Sequence, residues 1–490
     1  ASNKFVVRPF GFDIDVSGDS NATNANSSVF KTAGANFTVQ IQAVGWQPGQ
    51  DEDDDGIPDH FEDQNPTNNV DLSDNENTPN FDPESSVEIT SYLWKPTNGT
   101  HPGLSGGTAV DVNSGSGFTG VYYDEVGILG LKASLSDYLG SGEDVLGAVD
   151  HPVGRFVPDH FNVTIDNNGT LEAKCSNSFT YIGQNMTYAD EPKLSIEAQN
   201  TANETTNNYN GSFVHLEAKE VYINATKHDV DKNGTNNKPL TIEADIKNKN
   251  GTIEDKGGLN GTVIYKLSSN DIFRYVHNAS SKVDSFYANL NLNATKIYDD
   301  KDGINALGNA PYAIIEPLGV QMRFGRLNIK NAYGSELLDL KVPIRAQYYD
   351  NGGFVLNRDD QCSRLSINNS NNTVKMELKN DSTGWQSANQ DIALAGDQAS
   401  GSTEGLRLNN GTDQADNLKL GKGAAYLVLE APGQDKTGYV HVRAFLDDYP
   451  WLQYDWNGDG SHDENPNATA TFGIYKGNEH IIYQQETTWK

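Results

Sequence analysis

Carboxylates crowd one stretch of this 490-residue chain. In residues 51–62, DEDDDGIPDHFE, acidic side chains stand at Asp51, Asp53, Asp55, Asp59 and Glu62, with glycine at Gly56. The spacing follows D-x-D-x-D-G-x5-E position by position, the pattern of a calcium loop. Such a cation takes about six to eight oxygens at roughly 2.3–2.6 Å. Alternating aspartates on a tightly turning backbone supply them, and the glycine permits the positive φ of the sharp turn. Without an ion, five like charges repel one another. A second stretch, DWNGDGSHDENP, places Asp455, Asn457, Asp459 and Asp463 at positions one, three, five and nine and Gly460 at six, with Pro466 where a bidentate Glu would stand. Weaker candidates are Asp229, Asp231 and Asn233 in DVDKNGTNN, and Asp300 and Asp302 before Gly303. Ca2+ is the expected cofactor, against the plain alternatives of a solvated acidic linker or an Asx-rich turn.

The first loop lacks flanking helices, because Trp46-Gln47-Pro48-Gly49 precedes it and Asn65-Pro66-Thr67 follows it. It therefore resembles the calcium loops of thrombospondin type 3 repeats or dockerins, in which the ion braces an extracellular segment. The elements that position such loops must then be strands.

Helical periodicity is nearly absent, while short alternating runs recur between Gly, Asn, Asp and Pro clusters. Residues 10–16, 37–43, 161–165, 194–198 and 439–444 each alternate and each bury one face. Arg8, Gly154-Arg155 and Gly325-Arg326 precede alternating strands, and downstream strands end at Ala43, Ala198 and Ala346. Residues 131–138 and 442–449 share A-x-L-x-D-Y. This internal repeat predicts an all-β chain of tandem immunoglobulin-like β-sandwich units braced by calcium loops, at residues 1–154, 155–324 and 325–490. A terminal strand pair is expected at 469–475 and 479–485, joined by Lys476-Gly477-Asn478.

The length is enough for two to four domains. A net charge of −31 excludes non-specific nucleic-acid binding and argues against adsorption to anionic lipid. No run of eighteen apolar residues occurs, so no membrane insertion is expected. Neither an initiator Met nor a leader is present, which suggests a processed or partial product. Cys175 and Cys362 either pair or are two buried thiols; an even count in an exported chain favours the bridge. About twenty N-x-S/T sequons occur, more than the composition gives by chance. They include Asn21, Asn36, Asn98, Asn168, Asn224, Asn260, Asn293, Asn410 and Asn467. The alternatives are a glycosylated exported surface and an Asn/Thr-rich composition that merely favours turns.

Several stretches taken together look familiar: VRPFGFDIDV, the DxDxDGIPD loop, GRFVPDHFNVT, FGRLNIKNAYGSELLDLKVPIRAQYY and ATFGIYKGNEHIIY. Across nearly the whole chain they resemble the C-terminal region of MshQ-like proteins, associated with the mannose-sensitive haemagglutinin type IV pilus of Gram-negative bacteria. The resemblance implies an exported bacterial protein connected with pili or attachment, and it brings no catalytic residues with it.

Catalytic signatures such as HExxH, G-x-S-x-G or a phosphate loop are missing, so an enzyme is not expected. His160 beside Asp159, and His462 in the second loop, are expected as surface or turn residues. The expected function is a cell-surface or extracellular filament component, adhesive and calcium-stabilised. Its partners would be further copies, other pilus subunits or surface glycans. Residues 5–10 could donate a strand to a neighbour or be the first strand of unit one. The alternative function is a carbohydrate-binding module in which Trp451 or Trp456 stacks on sugar.

Overall fold

The structure, a computed structural model, describes residues 5–175, 178–227, 240–255, 258, 260–277 and 282–473. The candidate loop at Asp229, Asp231 and Asn233 and the second strand of the expected terminal pair lie outside these residues. Among the described residues no helix is long and apolar enough to cross a membrane.

Three sandwiches follow one another, and the strands that build them are numbered here in chain order, short edge strands aside. The first holds β1 (Gly11–Val16), β2 (Phe37–Val44), β3 (Val87–Lys95), β4 (Ser116–Tyr122), β5 (Gly127–Leu135), β6 (Val145–Ala148) and β7 (Val153–Val157). The second holds β8 (His160–Asn167), β9 (Lys193–Gln199), β10 (Val221–Lys227), β11 (Thr262–Lys266), β12 (Leu290–Asp299) and β13 (Ile304–Ala306). The third holds β14 (Gly325–Ile329), β15 (Ala332–Gly334), β16 (Leu340–Asp350), β17 (Val374–Lys379), β18 (Ala424–Leu429), β19 (Gly438–Phe445) and β20 (Asn467–Phe472).

One wiring recurs in all three. The first two long strands pair antiparallel, and the second of them pairs with a later strand: β1–β2–β4, β8–β9–β11 and β14–β16–β18. The opposite sheets are β3–β5–β6, β10–β12–β13 and β17–β19–β20, again antiparallel. In each unit the opening segment also runs parallel to the closing strand, through Phe12↔Gly147, Phe161↔Ala306 and Ala332↔Ala470. This is an immunoglobulin-like sandwich repeated three times.

The register explains the repeat. Phe12 faces Ala43, Phe161 faces Ala198 and Leu327 faces Ala346. On the other sheets Ile89 faces Ala133, Ile223 faces Ala294 and Met376 faces Ala444. All twelve side chains are buried. A small alanine beside a large apolar neighbour lets the two sheets close at native packing density, and each fully buried Phe, Ile, Leu or Met contributes roughly 1.5–3 kcal/mol. The Gly-Arg pairs, in contrast, are not equivalent positions. Gly325-Arg326 opens β14, whereas Gly154-Arg155 lies in β7, which pairs with β5 of the first unit.

Candidate functional site

The first acidic loop leaves β2 and sits over a small satellite core of Phe10, Val44, Phe61, Leu72 and Ala148. Gly56 has φ +82°, and Asp54 also takes positive φ. Asp51 accepts from the backbone of Asp55 at 3.1 Å and of Gly56 at 3.0 Å, while Asp59 accepts from Glu52 N at 3.0 Å. Arg8 Nη2 donates to Gly56 O at 2.6 Å and ties the loop to the start of the unit. Carboxylate oxygens of Asp51, Asp53 and Asp59 come within 4.8 Å of one another. Asp55 and Glu62 do not join that group; Asp55 instead accepts from Ile57 N at 2.7 Å. Three convergent carboxylates on a hydrogen-bonded turn are a donor set suited to a hard divalent cation.

In the second loop the convergent carboxylates are Asp455, Asp459 and Glu464. Asp455 accepts from Gly458 N and Gly460 N, and hydrogen bonds from Ser461 and Asn457 hold the Asp459 carboxyl below its ordinary range. Asn457 and Asp463 stand outside the group: Asn457 Nδ2 donates to Asp459, and Asp463 accepts from Ser461 Oγ. Sequence reasoning missed Glu464. The bridge between Tyr454 and Glu464 closes the loop and turns that side chain inward, where the linear pattern looks for a ligand two residues later.

Asp302 has a different role from the one its spacing suggests. Both its oxygens are held by Arg155, reaching across from the first unit, and His215 Nδ1 lies 2.8 Å from Oδ2. Burial pushes the Asp302 carboxyl up, but these hydrogen bonds and charges outweigh it and bring it down to about 2. Asp300 is exposed, its nearest ion-pair partner Lys296 at 3.9 Å. The same joint carries Glu125, which accepts from Asn207 N at 2.6 Å and Asn208 N at 3.0 Å of the second unit. Ala22, Ala25, Val126 and Ile128 pack into the second unit's core.

A covalent link joins the second unit to the third: Cys175 and Cys362 form a disulfide with Cα atoms 5.3 Å apart. Beside it, Tyr181 donates to Asp360 at 2.8 Å, and Asn357 Nδ2 donates to the Tyr181 hydroxyl at 2.7 Å. Arg323 pairs with Asp359 at 2.7 Å and lies over the rings of Phe179 and Tyr348. Cys175, Phe179 and Tyr181 belong to the third unit's core.

Neither singled-out histidine is a surface residue. His160 is buried on β8 between Asp159 and Gln199. His462 is buried in an aromatic cluster with Phe324 at 5.1 Å, Tyr454 at 5.5 Å and His277 at 5.9 Å. The sequence treated each as a surface or turn residue, whereas tertiary packing covers both. Burial pushes the His277 imidazole down to about 4. Trp456 packs on Tyr454 and under Arg326, while Trp451 lines a cleft. Of the sequons, Asn21, Asn36, Asn98, Asn168, Asn224 and Asn467 are exposed; Asn260, Asn293 and Asn410 are half-buried.

Three family models match the chain in tandem. They are described as DUF6701, second domain, over residues 8–121; third domain, over 125–316; and fourth domain, over 323–487. Among curated proteins none matches in sequence. Among solved structures, the chain is similar to an I-band fragment of titin, at 7% identity and TM-score 0.19, covering 90% of this chain and 93% of that one. It is also similar to the FN1–FN3 domains of chicken CNTN1, at 10% identity, TM-score 0.24 and coverages of 89% and 93%. A third is invasin, a bacterial integrin-binding protein, at 10% identity and TM-score 0.21, covering 88% of this chain and 56% of that one. At these scores the likeness carries no functional conclusion.

Proposed function

This chain belongs to the DUF6701 family, and on that premise we propose that it is a structural, non-enzymatic component of the bacterial cell surface. In this reading it is a stiff stalk or filament segment with an adhesive role. The observation that carries the reading is the build of the two joints. One buries an ion pair between units, and the other adds a disulfide and a buried Tyr–Asp hydrogen bond. A set of independent modules needs neither; a spacer that keeps its shape does. A disulfide also fits an oxidising compartment outside the cytoplasm. The pilus association implied by the MshQ-like resemblance is the finer form of the same proposal.

Calcium is the proposed cofactor of the two loops, held by Asp51, Asp53 and Asp59 and by Asp455, Asp459 and Glu464. Bound there it would supply positive charge that pins each turn. Glycosylation is proposed at the exposed sequons, and intact-mass measurement on native material tests it. Further copies or other subunits are the proposed partners. Strand β1 begins at Gly11; Arg8 and Phe10 ahead of it are held by Gly56 and the satellite core, while Phe5 and Val7 are exposed at 86% and 74%, and residues 5–7 are the part proposed to pair with a neighbouring sheet edge.

Negative-stain images of the purified chain test the central reading. Straight particles of one length, or fibres built from them, support it. Three beads at random angles overturn it.

A further inference from the structure

The third unit bears exposed leucines at its end away from the joint. β15 stops at Gly334, and β16 begins at Leu340 and runs back to the joint, where Tyr349 N donates to Phe324 O at 2.9 Å. The turn between these strands is firmly held. Leu337 N donates to Ser335 Oγ at 3.2 Å, Gly433 N to Glu336 O at 2.9 Å and Ala431 N to Asp339 Oδ1 at 3.3 Å. On that anchored backbone Leu337 and Leu338 are 58% and 70% exposed, and Tyr333 of β15 is exposed as well. A lone exposed leucine is ordinary, but three large apolar side chains within residues 333–338 make a patch that calls for a cover.

The chain leaves β20 at the same place. Gly473 N donates to Gly334 O at 3.0 Å, and a Cβ on Gly473 would lie 3.5 Å from Glu336 Oε2. Residues 474–490 follow, among them Ile474, Tyr475, Ile481, Ile482 and Tyr483. The match to the fourth DUF6701 domain runs on to residue 487, which assigns this stretch to the unit it leaves. Topology limits where a strand at 479–485 can lie. β20 has β19 on one side and β15 on the other, so the expected hairpin cannot close directly onto residues 470–472. The outer edge of β15 carries no strand among the described residues. It lies two strand spacings from β20, roughly 9–10 Å. Residues 473–478 span that gap at about 3.3 Å each.

We infer that residues 474–485 close over this end of the third unit. Ile474 and Tyr475 cross Leu337 and Leu338, and residues 479–485 add to the outer edge of β15. Because β15 runs parallel to β20, a strand returning from β20 meets it antiparallel, the pairing that a short connection permits. An open edge and an apolar patch are then covered together. A segment tethered at Gly473 reaches the patch at an effective concentration of millimolar order, ahead of a second copy in dilute solution.

The inference stands apart from the stalk reading, since the cover forms whether or not the chain builds fibres. Its test is hydrogen exchange of the full oxidised chain, read by mass spectrometry. Amides of residues 479–485 are expected to be protected. Leu337→Ser with Leu338→Ser changes only exposed side chains and should speed exchange at 479–485 tenfold or more while leaving β19 unchanged. Should that pair disturb β19, the single Leu338→Asn decides. Leu338→Cys with Tyr475→Cys should bridge within one chain, at the mass of a monomer. A bridge between two chains would seat a second copy on the patch and overturn the inference. Unprotected amides at 479–485, or protection that survives the leucine variants, would do the same.

Discussion

Arg155, at the end of the first unit, forms a two-pronged ion pair with Asp302 of the second, and their side chains are only 2% and 1% exposed. A charge left alone in such a place cannot be solvated. Arg155→Ala is therefore expected to destabilise the chain by about 3–5 kcal/mol, read as a lowered melting temperature. Replacing both partners, as Arg155→Met with Asp302→Leu, should restore most of the loss because no unpaired charge remains. Asp302 is held down to about 2, so its contribution is complete above its ordinary pKa of 3.8 and vanishes only as pH falls through about 2.

Calcium should raise the melting temperature and EGTA should lower it, since a ligand that binds only the folded state stabilises by about 2.7 kcal/mol at a hundred times its Kd. Asp51→Asn with Asp53→Asn should remove the first loop's share of the shift. For the second loop the grouping of Asp455, Asp459 and Glu464 makes a sharper forecast. Glu464→Gln should abolish more of the calcium effect than Asp463→Asn, and equal effects would count against the grouping.

The Cys175–Cys362 bond closes a loop of 187 residues. On the chain-entropy account its removal costs about 5 kcal/mol. Reductant, or Cys175→Ser with Cys362→Ser, should lower the melting temperature and expose the segment around Tyr181 to protease, as its docking into the third core loses its tether.

His277 makes stability depend on acidity. Its folded pKa of about 4 lies below the ordinary 6.5, so between these values the unfolded chain binds a proton that the folded chain refuses. Its contribution is whole above pH 6.5 and is lost as pH falls toward 4, by up to about 3 kcal/mol. Asp13 and Asp271 act in the opposite sense. Burial raises both to about 6, and they cost stability as pH rises from 3.8 toward 6. The comparison of native protein with His277→Gln isolates the histidine: the variant should lose less stability than the native chain between pH 6.5 and 4.

The strands were legible because period-two alternation is a local property. The runs at residues 10–16, 37–43 and 439–444 fall on or beside β1, β2 and β19. The alanines that suggested a repeat, Ala43, Ala198 and Ala346, occupy one structural position. The Gly-Arg pairs misled, since Arg155 was aligned by its neighbours in sequence while its role depends on Asp302, 147 residues away. His160 and His462 were misplaced for the same reason: polarity along the chain does not reveal what packs over a turn. Glu464 escaped because this loop, closed by a bridge between Tyr454 and Glu464, brings in its tenth residue where the linear pattern looks to the twelfth.

Because the cystine ties Cys175 to Cys362, tension applied at the two ends of the chain has a shortcut. It leaves the second sandwich just after its opening strand and re-enters the polypeptide inside the third. Along the covalent path the residues between the two sulfurs are bypassed while the bond is intact, so force reaches most of the middle sandwich only through noncovalent contacts such as the Arg155–Asp302 pair.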